Sequence, residues 1–426
     1  MDKYKPIRRT SPLKILRNLA IVVAVIMVIS FAWPRAWGAV DARRDIRQAR
    51  ADVLYDFDYI MHILVDNFPY FPLIYRRTGV YMPDLIPDMR TRLADTSYPP
   101  MERQEFIDFL NTRFFDYGQR VGHLMITPTG GRVRIGENLF TEIIDEGRIA
   151  YLRIATMIAN NELTYYRPSA VCFEIVDPFF QQIEGFEHLI IDIRGNFGGF
   201  FGYFEELVMR PLQHTVYGQM STVFYHFYRN GEHNADNAIG FMRLSSWMPE
   251  IAHTSHFWAS FIYDIERNME SNPDFLTEIL GFDPLPEYVL SDIMATNHFF
   301  AQRIGVRSTP YNRRNNFNGK IWLLIDDGVA SAAQQSATFA KESGFATLVG
   351  EISGGIPGFG FFITLPNTGI RIRYDPTFMT DQYGRPLEYG TIPHYFNREG
   401  MDALETVLAM IAEMSEIMNY ELLITD

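Results

Sequence analysis

Residues 320–358 read KIWLLIDDGVASAAQQSATFAKESGFATLVGEISGGIPG, and this stretch sets the fold of the chain. The apolar run Ile321–Ile325 has the length and composition of a buried strand. Ser331 stands at the turn after it and begins a helix that is predicted to last to about Glu342. A second apolar run, Ala346–Val349, follows and leads into a glycine-rich loop. The stretch therefore predicts a strand, a helix and a second strand.

Ser331 has two interpretations. A serine at a strand-to-helix turn can be held rigidly by the sheet, while the helix N-terminus stabilises negative charge nearby, as nucleophilic catalysis requires. The same serine opens the pattern Ser331-x-x-Gln334, which is a capping box, and such serines usually have a structural role. This stretch alone leaves both interpretations open.

Composition limits the class of protein. The chain has 426 residues, of which 47% are hydrophobic and 15% aromatic, so it can form a large core and is not generally disordered. Its single cysteine, Cys172, excludes an intramolecular disulfide framework and a cysteine-based zinc cluster. Because Cys172 lies between Val171 and Phe173, we interpret it as a core residue and not as a nucleophile.

The N-terminal segment, residues 1–39, indicates membrane targeting. Residues 1–38 carry seven basic residues and one acidic residue, and the stretch Leu19–Trp33 is charge-free and largely apolar. Fifteen residues suit the core of a signal peptide and are few for a spanning helix. Ala36 and Gly38 are spaced as at a signal-peptidase site, so a cleaved signal and an uncleaved anchor both remain open. The positive flank predicts an extracytoplasmic protein.

The charge distribution is consistent with export. Residues 1–38 have a net charge of +6, so −19 lies on the remainder of a chain whose total is −13. A body this acidic has no electrostatic footprint for nucleic acid. After Lys14 the sequence contains two lysines, Lys320 and Lys341, which matters for the choice of a general base.

Periodicity predicts how the chain is divided. Residues 40–118 are predicted to be a helical cap and residues 119–426 the core, with an aromatic-rich insertion at about 211–317. Within the cap, helices are predicted at Ala42–Asn67, within Pro83–Ala94 and from Met101 to about Tyr117. In the core, a strand is predicted at His188–Arg194, a hairpin at Phe361–Leu365 with Ile370–Tyr374, and a closing helix at Asp402–Met418. In the insertion, helices are predicted at Ser255–Asn268 and Glu287–Arg303.

Acyl transfer needs a nucleophile, a base, a group that orients the base, and an oxyanion hole, and the chain offers candidates for each. The chain also resembles the C-terminal processing peptidase and tricorn-core family of serine proteases. The resemblance implies an α/β catalytic core, a crotonase-like ββα spiral, preceded by the helical cap. Five matching stretches occur in the family's order: Ile149–Ile154, Leu189–Gly199, Val329–Gln334, Leu348–Gly355 and Tyr383–Pro393.

The resemblance also separates two kinds of general base. One branch of the family uses a lysine about 25 residues after the serine, and Ile356 occupies that position here. Lys341 lies ten residues along the helix, roughly 15 Å from Ser331 at 1.5 Å per residue, so it is poorly placed. The tricorn-like branch uses a histidine, which implies His123 in Val121-Gly-His-Leu. Gly122 departs from that branch, which has a serine there.

The implied mechanism is that Ser331 attacks the scissile carbonyl and His123 accepts its proton. Glu388 would orient the machinery, directly or through an intermediary. The resemblance places the oxyanion among backbone N–H groups of Gly198, Gly199 and Ala332. Arg194 and Asn196 are interpreted as braces of the glycine loop at residues 195–199. Gln334 replaces the family's usual glutamate. The pattern His253-x-x-His256 lacks a third ligand, so neither a metal nor a cofactor is expected.

The sequence thus predicts an exported or membrane-anchored serine endopeptidase that acts on peptides or proteins. His123 and Tyr151 are 28 residues apart, which leaves no room for the peptide-binding PDZ module of processing peptidases. A catalytically inactive or weak binder of peptides or small hydrophobes on the same fold is the alternative. An esterase is less well supported because no G-x-S-x-G surrounds Ser331. The natural substrate and the oligomeric state stay open.

Overall fold

Three β-sheets organise the computed structural model, which describes residues 46–118, 121–127, 138–158, 168–212, 221–229, 263–305, 315–358 and 360–425. The thirteen strands of these residues are, in chain order, β1 Met125–Ile126, β2 Leu139–Asp145, β3 Ile149–Ile154, β4 His188–Asp192, β5 Ser221–Tyr228, β6 Tyr263–Asp264, β7 His298–Gly305, β8 Lys320–Ile325, β9 Thr347–Gly350, β10 Phe361–Thr364, β11 Arg371–Tyr374, β12 Thr377–Thr380 and β13 Tyr395–Phe396.

The described helices fall into a cap, a set around the main sheet and a pair in the insertion. In chain order they are α1 Ile46–Asn67, α2 Phe71–Thr78, α3 Ile86–Ala94, α4 Arg103–Arg113, α5 Ala170–Gln182, α6 Phe201–Phe204, α7 Arg210–Leu212, α8 Ile265–Ser271, α9 Glu287–Met294, α10 Ala332–Glu342 and α11 Ala403–Thr425. Short 3₁₀ helices occur at Met82–Leu85, Phe115–Gly118 and Leu387–Tyr389, and π-helical turns at Glu205–Met209 and Phe275–Ile279.

The main sheet has six strands in the order β13-β9-β8-β4-β3-β2. All neighbours are parallel except β2, which runs antiparallel to β3. Every residue of β4 is buried, as expected for a parallel strand that is covered on both faces. The α/β class and the N-terminal helical region predicted from the sequence are confirmed.

Strand alternation assigns the two faces of this sheet. Ile190 and Trp322 pack against Val407 of α11 on one face. Leu189 and Leu323 point to the other face, into the cluster that α5 and α10 also enter. The strand and helix predicted for residues 320–342 are therefore both present, and α10 lies against the sheet that supports Ser331.

The cap and the insertion share a second hydrophobic cluster. Phe57 of α1, Phe299 of β7 and Ile372 of β11 are all fully buried members of it. β5, β6 and β7 of the insertion join β12 in a four-stranded sheet of order β12-β5-β7-β6. The insertion thus extends the core through its aromatic residues, and the boundary between cap and core at residue 118 stays a prediction.

Two sequence predictions in the insertion need correction. The helix predicted at Glu287–Arg303 ends at Met294, and His298–Gly305 is a strand paired along its whole length with β5. Long-range strand pairing overrides the helical spacing of apolar residues there. For the helix predicted at Ser255–Asn268, residues 255–262 lie outside the described residues, and the observed helix begins at Ile265.

One smaller difference affects the site. The sequence predicts a strand that begins at Val121, whereas Val121–Leu124 form a turn and the strand begins at Met125. Among the described residues, no helix combines the length and apolar character that a membrane crossing requires. The predicted targeting segment, residues 1–39, lies outside the described residues.

Candidate active site

Three residues have a backbone conformation that side chains other than glycine rarely adopt. Among the described residues, His123, Ser331 and Ile356 are the non-glycine residues with positive φ, at 47°, 55° and 54°. For a β-branched isoleucine this conformation is a genuine outlier. Such strain accumulates at functional sites, where the surrounding structure enforces it. The loop that carries Ile356 approaches the other two residues.

The loop Gly354–Ile356 connects the three. The Ser331 N–H donates to Gly355 O at 3.0 Å. Ile356, the next residue, lines a cavity of about 460 Å³ together with His123. The position at which one branch of the resembled family carries its lysine is thus occupied by an isoleucine that shares a cavity with His123 and follows the residue bonded to the Ser331 N–H.

The side chain of Ser331 does not cap helix α10. It holds the N-cap position of α10, but its side chain makes no capping hydrogen bond and its φ and ψ are 55° and −124°. A capping serine has an extended backbone and accepts a bond from the first helical turn. The capping-box interpretation is therefore wrong. Among the described residues the Ser331 hydroxyl has no hydrogen-bond partner, although the residue is only 8% exposed.

The glycine loop after β4 lies directly against this serine. A Cβ on Gly198 would come within 2.6 Å of Ala330 O, 2.7 Å of Ser331 Cβ and 2.8 Å of Ala332 N. Only glycine permits this approach, at a φ of 101°. The structure therefore places the predicted oxyanion residues Gly198 and Ala332 beside Ser331.

The three backbone N–H groups predicted for the oxyanion hole are not equivalent. The Gly198 N–H already donates to Asn196 Oδ1 at 2.9 Å. Within the described part of the chain, the N–H groups of Gly199 and Ala332 donate to no protein acceptor. Asn196 also donates from Nδ2 to Ile154 O at 2.9 Å, and it is fully buried, so it braces the loop as predicted.

His123 is held by a carboxylate that sequence reasoning missed. Its Nδ1 lies 2.9 Å from Oδ1 and 2.8 Å from Oδ2 of Asp375, whose side chain is fully buried. The Gly360 N–H donates to Asp375 Oδ1 at 2.6 Å and fixes the carboxylate. Because a carboxylate only accepts, the proton of the imidazole belongs on Nδ1, which leaves the Nε2 lone pair available.

Strand register explains this pairing. β1 and β11 are antiparallel, and Met125 is opposite Arg373. His123 precedes Met125 by two residues and Asp375 follows Arg373 by two residues, so the same register sets His123 opposite Asp375. The Asp375 N–H donates to Gly122 O at 2.6 Å across this gap. The sequence signal was the polar residue directly after the hairpin strand, but the pairing of β11 with β1 was not visible in the sequence.

Glu388 reaches the histidine turn through the backbone of Gly122. Its Oε1 accepts the Gly122 N–H at 3.0 Å, and among the described residues its buried Oε2 has no hydrogen-bond partner. Burial, followed by the negative charge of Asp375, raises the pKa of Glu388 to about 8, against the opposing effects of the Gly122 hydrogen bond and Arg77. The structure thus brings Glu388 next to His123 without direct contact with the ring.

Aromatic rings fill the space in which tricorn-like proteins have a serine side chain. A Cβ on Gly122 would lie 2.6 Å from the Tyr70 ring and 2.8 Å from the Phe68 ring. Gly122 also has a φ of 53°. The serine is therefore not simply absent here. Tyr70 and Phe68 close its position, and the Gly122 N–H contacts Glu388 directly.

Gln334 ties the helix of Ser331 to the turn of Glu388. Its Nε2 donates to Thr391 Oγ1 at 2.9 Å, and its Oε1 accepts the hydroxyl of Ser353. Ser353 Oγ in turn accepts the Thr391 N–H at 2.6 Å. Because Gln334 is fully buried, these bonds fix the spacing between α10 and the turn at Leu387–Tyr389.

The remaining sequence candidates lie elsewhere. Lys341 Nζ donates to Ile392 O at 2.7 Å, and Lys320 Nζ lies 4.0 Å from the centroid of the Trp322 ring. Arg194 bonds Asp192 at 2.7 Å and so braces the loop. Cys172 is buried in the core, as predicted. His253 and His256 lie outside the described residues.

An α/β core that holds a strained serine against a glycine loop, with a histidine on a buried carboxylate, defines a hydrolase of the serine type. A family model described as Peptidase family S41 matches residues 148–395. The chain belongs to this family, which confirms the resemblance found in the sequence, and it is a serine peptidase. A search of curated proteins found no match.

Several solved structures are similar to the chain at low sequence identity. A candidate peptidase from Parabacteroides merdae is 15% identical with a TM-score of 0.52, covering 87% of this chain and 96% of its own. Mature CPAF complexed with lactacystin is 13% identical with a TM-score of 0.49, covering 82% and 94%. The tricorn protease is 15% identical with a TM-score of 0.31, covering 63% and 18%.

Proposed function

We propose that this chain is a serine endopeptidase with Ser331 as the nucleophile and His123 as the general base. The observation that carries the proposal is the state of Ser331. The residue is held at a positive φ, its side chain makes no capping hydrogen bond, and Gly198 lies against it. A structural serine does not need this strain, whereas a nucleophile presented to a carbonyl gains orientation from it.

The proposed reaction begins when Ser331 Oγ attacks the scissile carbonyl and passes its proton to His123 Nε2. Asp375 keeps the Nδ1 proton in place and stabilises the imidazolium that forms. His123 then donates the proton to the leaving amine, which breaks the C–N bond and leaves an acyl-enzyme. Water, activated by the same histidine, hydrolyses the ester and restores Ser331.

The oxyanion of the tetrahedral intermediate is proposed to lie between the N–H groups of Gly199 and Ala332. These donors have no protein acceptor in the described residues, whereas the Gly198 N–H is engaged by Asn196. Under this proposal Gly198 contributes close packing and loop conformation. A single oxyanion donor is typically worth roughly 10²–10³ in kcat.

Glu388 is proposed to act as a neutral positioning residue. Its raised pKa favours a protonated carboxyl near neutral pH, so Asp375 is the charged partner of the imidazole. Its hydrogen bond from Gly122 holds the turn that carries His123. The intermediary expected between Glu388 and the base is then the Gly122 backbone.

Export belongs to the same proposal. The basic and then apolar N-terminal segment, residues 1–39, and the net charge of −19 beyond residue 38 support an extracytoplasmic enzyme that is either secreted or anchored. Its substrates would then be peptides or proteins outside the cytoplasm.

Fluorophosphonate labelling of the folded full chain tests the proposal, with cleavage of an unfolded protein as the second readout. We expect wild type to label and cleave, Ser331→Ala to do neither, and His123→Ala to label at least 100-fold more slowly. Ser343→Ala is the control, because this serine ends the same helical region and its hydroxyl bonds only Phe339 O.

A folded wild type that neither labels nor cleaves would contradict catalysis and favour the inactive binding protein. Labelling without any peptide-bond cleavage would favour an esterase. If His123→Ala labels as fast as wild type, the assignment of the base is wrong, while membership of the family is unaffected.

A further inference from the structure

A second cavity, of about 450 Å³, lies at the end of the main sheet opposite Ser331. It borders Lys320 and Thr347, the first residues of the parallel strands β8 and β9, whereas Ser331 follows the other end of β8. Because the six residues of β8 span about 17 Å, this cavity is separate from the site of the proposed reaction. Its volume is within the roughly 300–1,000 Å³ range of sites for small molecules.

The groups of this lining that can carry a charge are cationic. Among the described residues that border the cavity these groups are Lys320 and His394, and none is a carboxylate. Burial, followed by the positive charges of Lys341 and Lys320, lowers the pKa of His394. Burial also lowers the pKa of Lys320, and no carboxylate of the described residues opposes that shift. Cations are therefore gathered here without a counter-ion, although the chain beyond residue 38 has a net charge of −19.

These polar groups are held in place by neighbouring strands. His394 Nδ1 accepts the Leu348 N–H at 2.9 Å, so the proton of the neutral imidazole belongs on Nε2. The His394 N–H donates to Leu348 O at 3.0 Å, which fixes the residue to β9 a second time. Lys320 and Thr347 open two adjacent parallel strands. An ammonium, an imidazole N–H and a hydroxyl thus come to one cavity from three segments of the chain.

This set of donors matches a phosphate better than a carboxylate. A planar carboxylate is bound best by the fork of an arginine, and none of the described residues that line the cavity is an arginine. Lysine acts as a point charge and is a common phosphate ligand. A tetrahedral phosphate also offers oxygens in several directions, as donors from three segments require.

The rest of the lining includes apolar side chains. Leu212 and Phe345 are 3% and 5% exposed, and Ile321 is partly buried. Inorganic phosphate would occupy only part of this volume and would leave the apolar residues without a contact. An organic substituent on the phosphate would cover them and remove apolar surface from water.

We propose that this cavity binds an organic phosphate monoester, with its phosphate at Lys320 and His394 and its substituent against Leu212 and Phe345. The site is independent of the proposed peptidase function. A soluble ester and the headgroup of a phosphatidate present the same chemistry, and the experiment below separates them.

Titration calorimetry of the full chain with phenyl phosphate tests the site. We expect a Kd below about 1 mM, roughly tenfold tighter than inorganic phosphate because the ring is buried, and tighter than benzoate. Dihexanoyl phosphatidate, used below its micelle concentration, is the lipid probe. Tighter binding of this lipid than of phenyl phosphate assigns the site to a lipid headgroup, and weaker binding assigns it to a soluble ester.

Three variants locate the binding. Lys320→Gln should weaken the binding of phenyl phosphate by roughly tenfold or more, because a hydrogen bond to a charged group is lost. Thr347→Val keeps the shape of a strand residue and removes one hydroxyl, so it should weaken binding by roughly threefold. Arg113→Gln is the control, because Arg113 is exposed at the end of α4 and does not line the cavity. It removes one positive charge elsewhere and should leave the Kd within twofold.

Four results would overturn the proposal. Phenyl phosphate and the lipid probe both fail to bind the folded wild type, or benzoate binds as tightly as phenyl phosphate. Lys320→Gln and Thr347→Val both bind as wild type does, which would assign the binding to another part of the chain, such as its basic N-terminus. Arg113→Gln weakens binding as much as Lys320→Gln, which would reduce the effect to net charge. Because binding is measured without turnover, each result leaves the proposed peptidase function unaffected.

Discussion

The imidazole of His123 and the carboxylate of Asp375 meet at 2.8–2.9 Å, although 252 residues separate them in the chain. The contact joins the turn Val121–Leu124 to the residue that follows β11. It makes Asp375 the carboxylate partner of the proposed base, whereas the sequence offered Glu388. This division of labour between two buried carboxyl groups can be tested directly.

Amide substitutions at the two positions should have unequal effects on activity. Asp375→Asn should lower kcat/KM by roughly 10³–10⁴, because an asparagine can hold the wrong imidazole tautomer and cannot stabilise the imidazolium. Glu388→Gln should lower it by less than about tenfold, since a glutamine oxygen can still accept the Gly122 N–H. Steady-state kinetics on one peptide, with a thermal melt of each variant, make the comparison.

Equal losses in both variants would show that Glu388 shares the charge-stabilising role. A larger loss in Glu388→Gln than in Asp375→Asn would return the orienting role to Glu388.

Restoring the tricorn-like serine should destabilise the protein. Gly122→Ser should lower the free energy of unfolding by about 2–4 kcal/mol, because the new Cβ overpacks the Tyr70 and Phe68 rings and the backbone is left-handed. Gly79→Ser is the control: Gly79 has a φ of 74° with open space around it, so it should lose only about 1 kcal/mol. Urea unfolding measures both, and equal losses would refute the steric argument.

Stability should fall as pH rises from about 5 to 8. The pKa of Glu388 is raised in the folded state from 4.5 to about 8, so the folded protein holds this proton over a range in which the unfolded chain releases it. The stabilisation is complete below about pH 4.5 and is lost as pH approaches 8, by roughly 4 kcal/mol for this group. Urea unfolding at several pH values measures the slope.

Glu388→Gln should flatten this slope, because glutamine does not titrate. Part of the slope should remain, since burial and then Asp381 raise the pKa of Glu342 to about 8 as well. The exposed Glu416, changed to glutamine, is the control for the loss of one carboxylate and should leave the slope as in wild type. An unchanged slope in Glu388→Gln would contradict the neutral state assigned to this residue.

Removal of the brace under the glycine loop should affect the chemical step. Asn196→Ala frees the Gly198 N–H and leaves Ile154 O without its donor, so the loop beside Ser331 loses its fixed geometry. We expect kcat to fall roughly 10–100-fold with a smaller change in KM, since the oxyanion is bound only in the transition state. The exposed Asn318→Ala should match wild type, and a change confined to KM would argue for a role in substrate binding.

Much of the site was accessible from the sequence because its parts are local. The strand, turn and helix around Ser331, and the glycine loop that ends at Gly199, are encoded by apolar runs and by glycines within a few residues. His123 was selected through the resemblance to the tricorn-like branch, because Ile356 occupies the position at which the other branch has its lysine. Asp375 could not be selected, because an aspartate after a strand is common and its partner depends on long-range register.

The sequence by itself determined the α/β class, the family, and the identity of the serine and histidine candidates, since these depend on short patterns that survive without a fold. Only the tertiary structure decided that Ser331 is not a cap, that Asp375 holds His123, and that aromatic rings replace a serine beside Gly122. Each of these follows from the antiparallel pairing of β1 with β11 or from packing between distant elements. Contacts of that kind arise from register and burial, which no local pattern records.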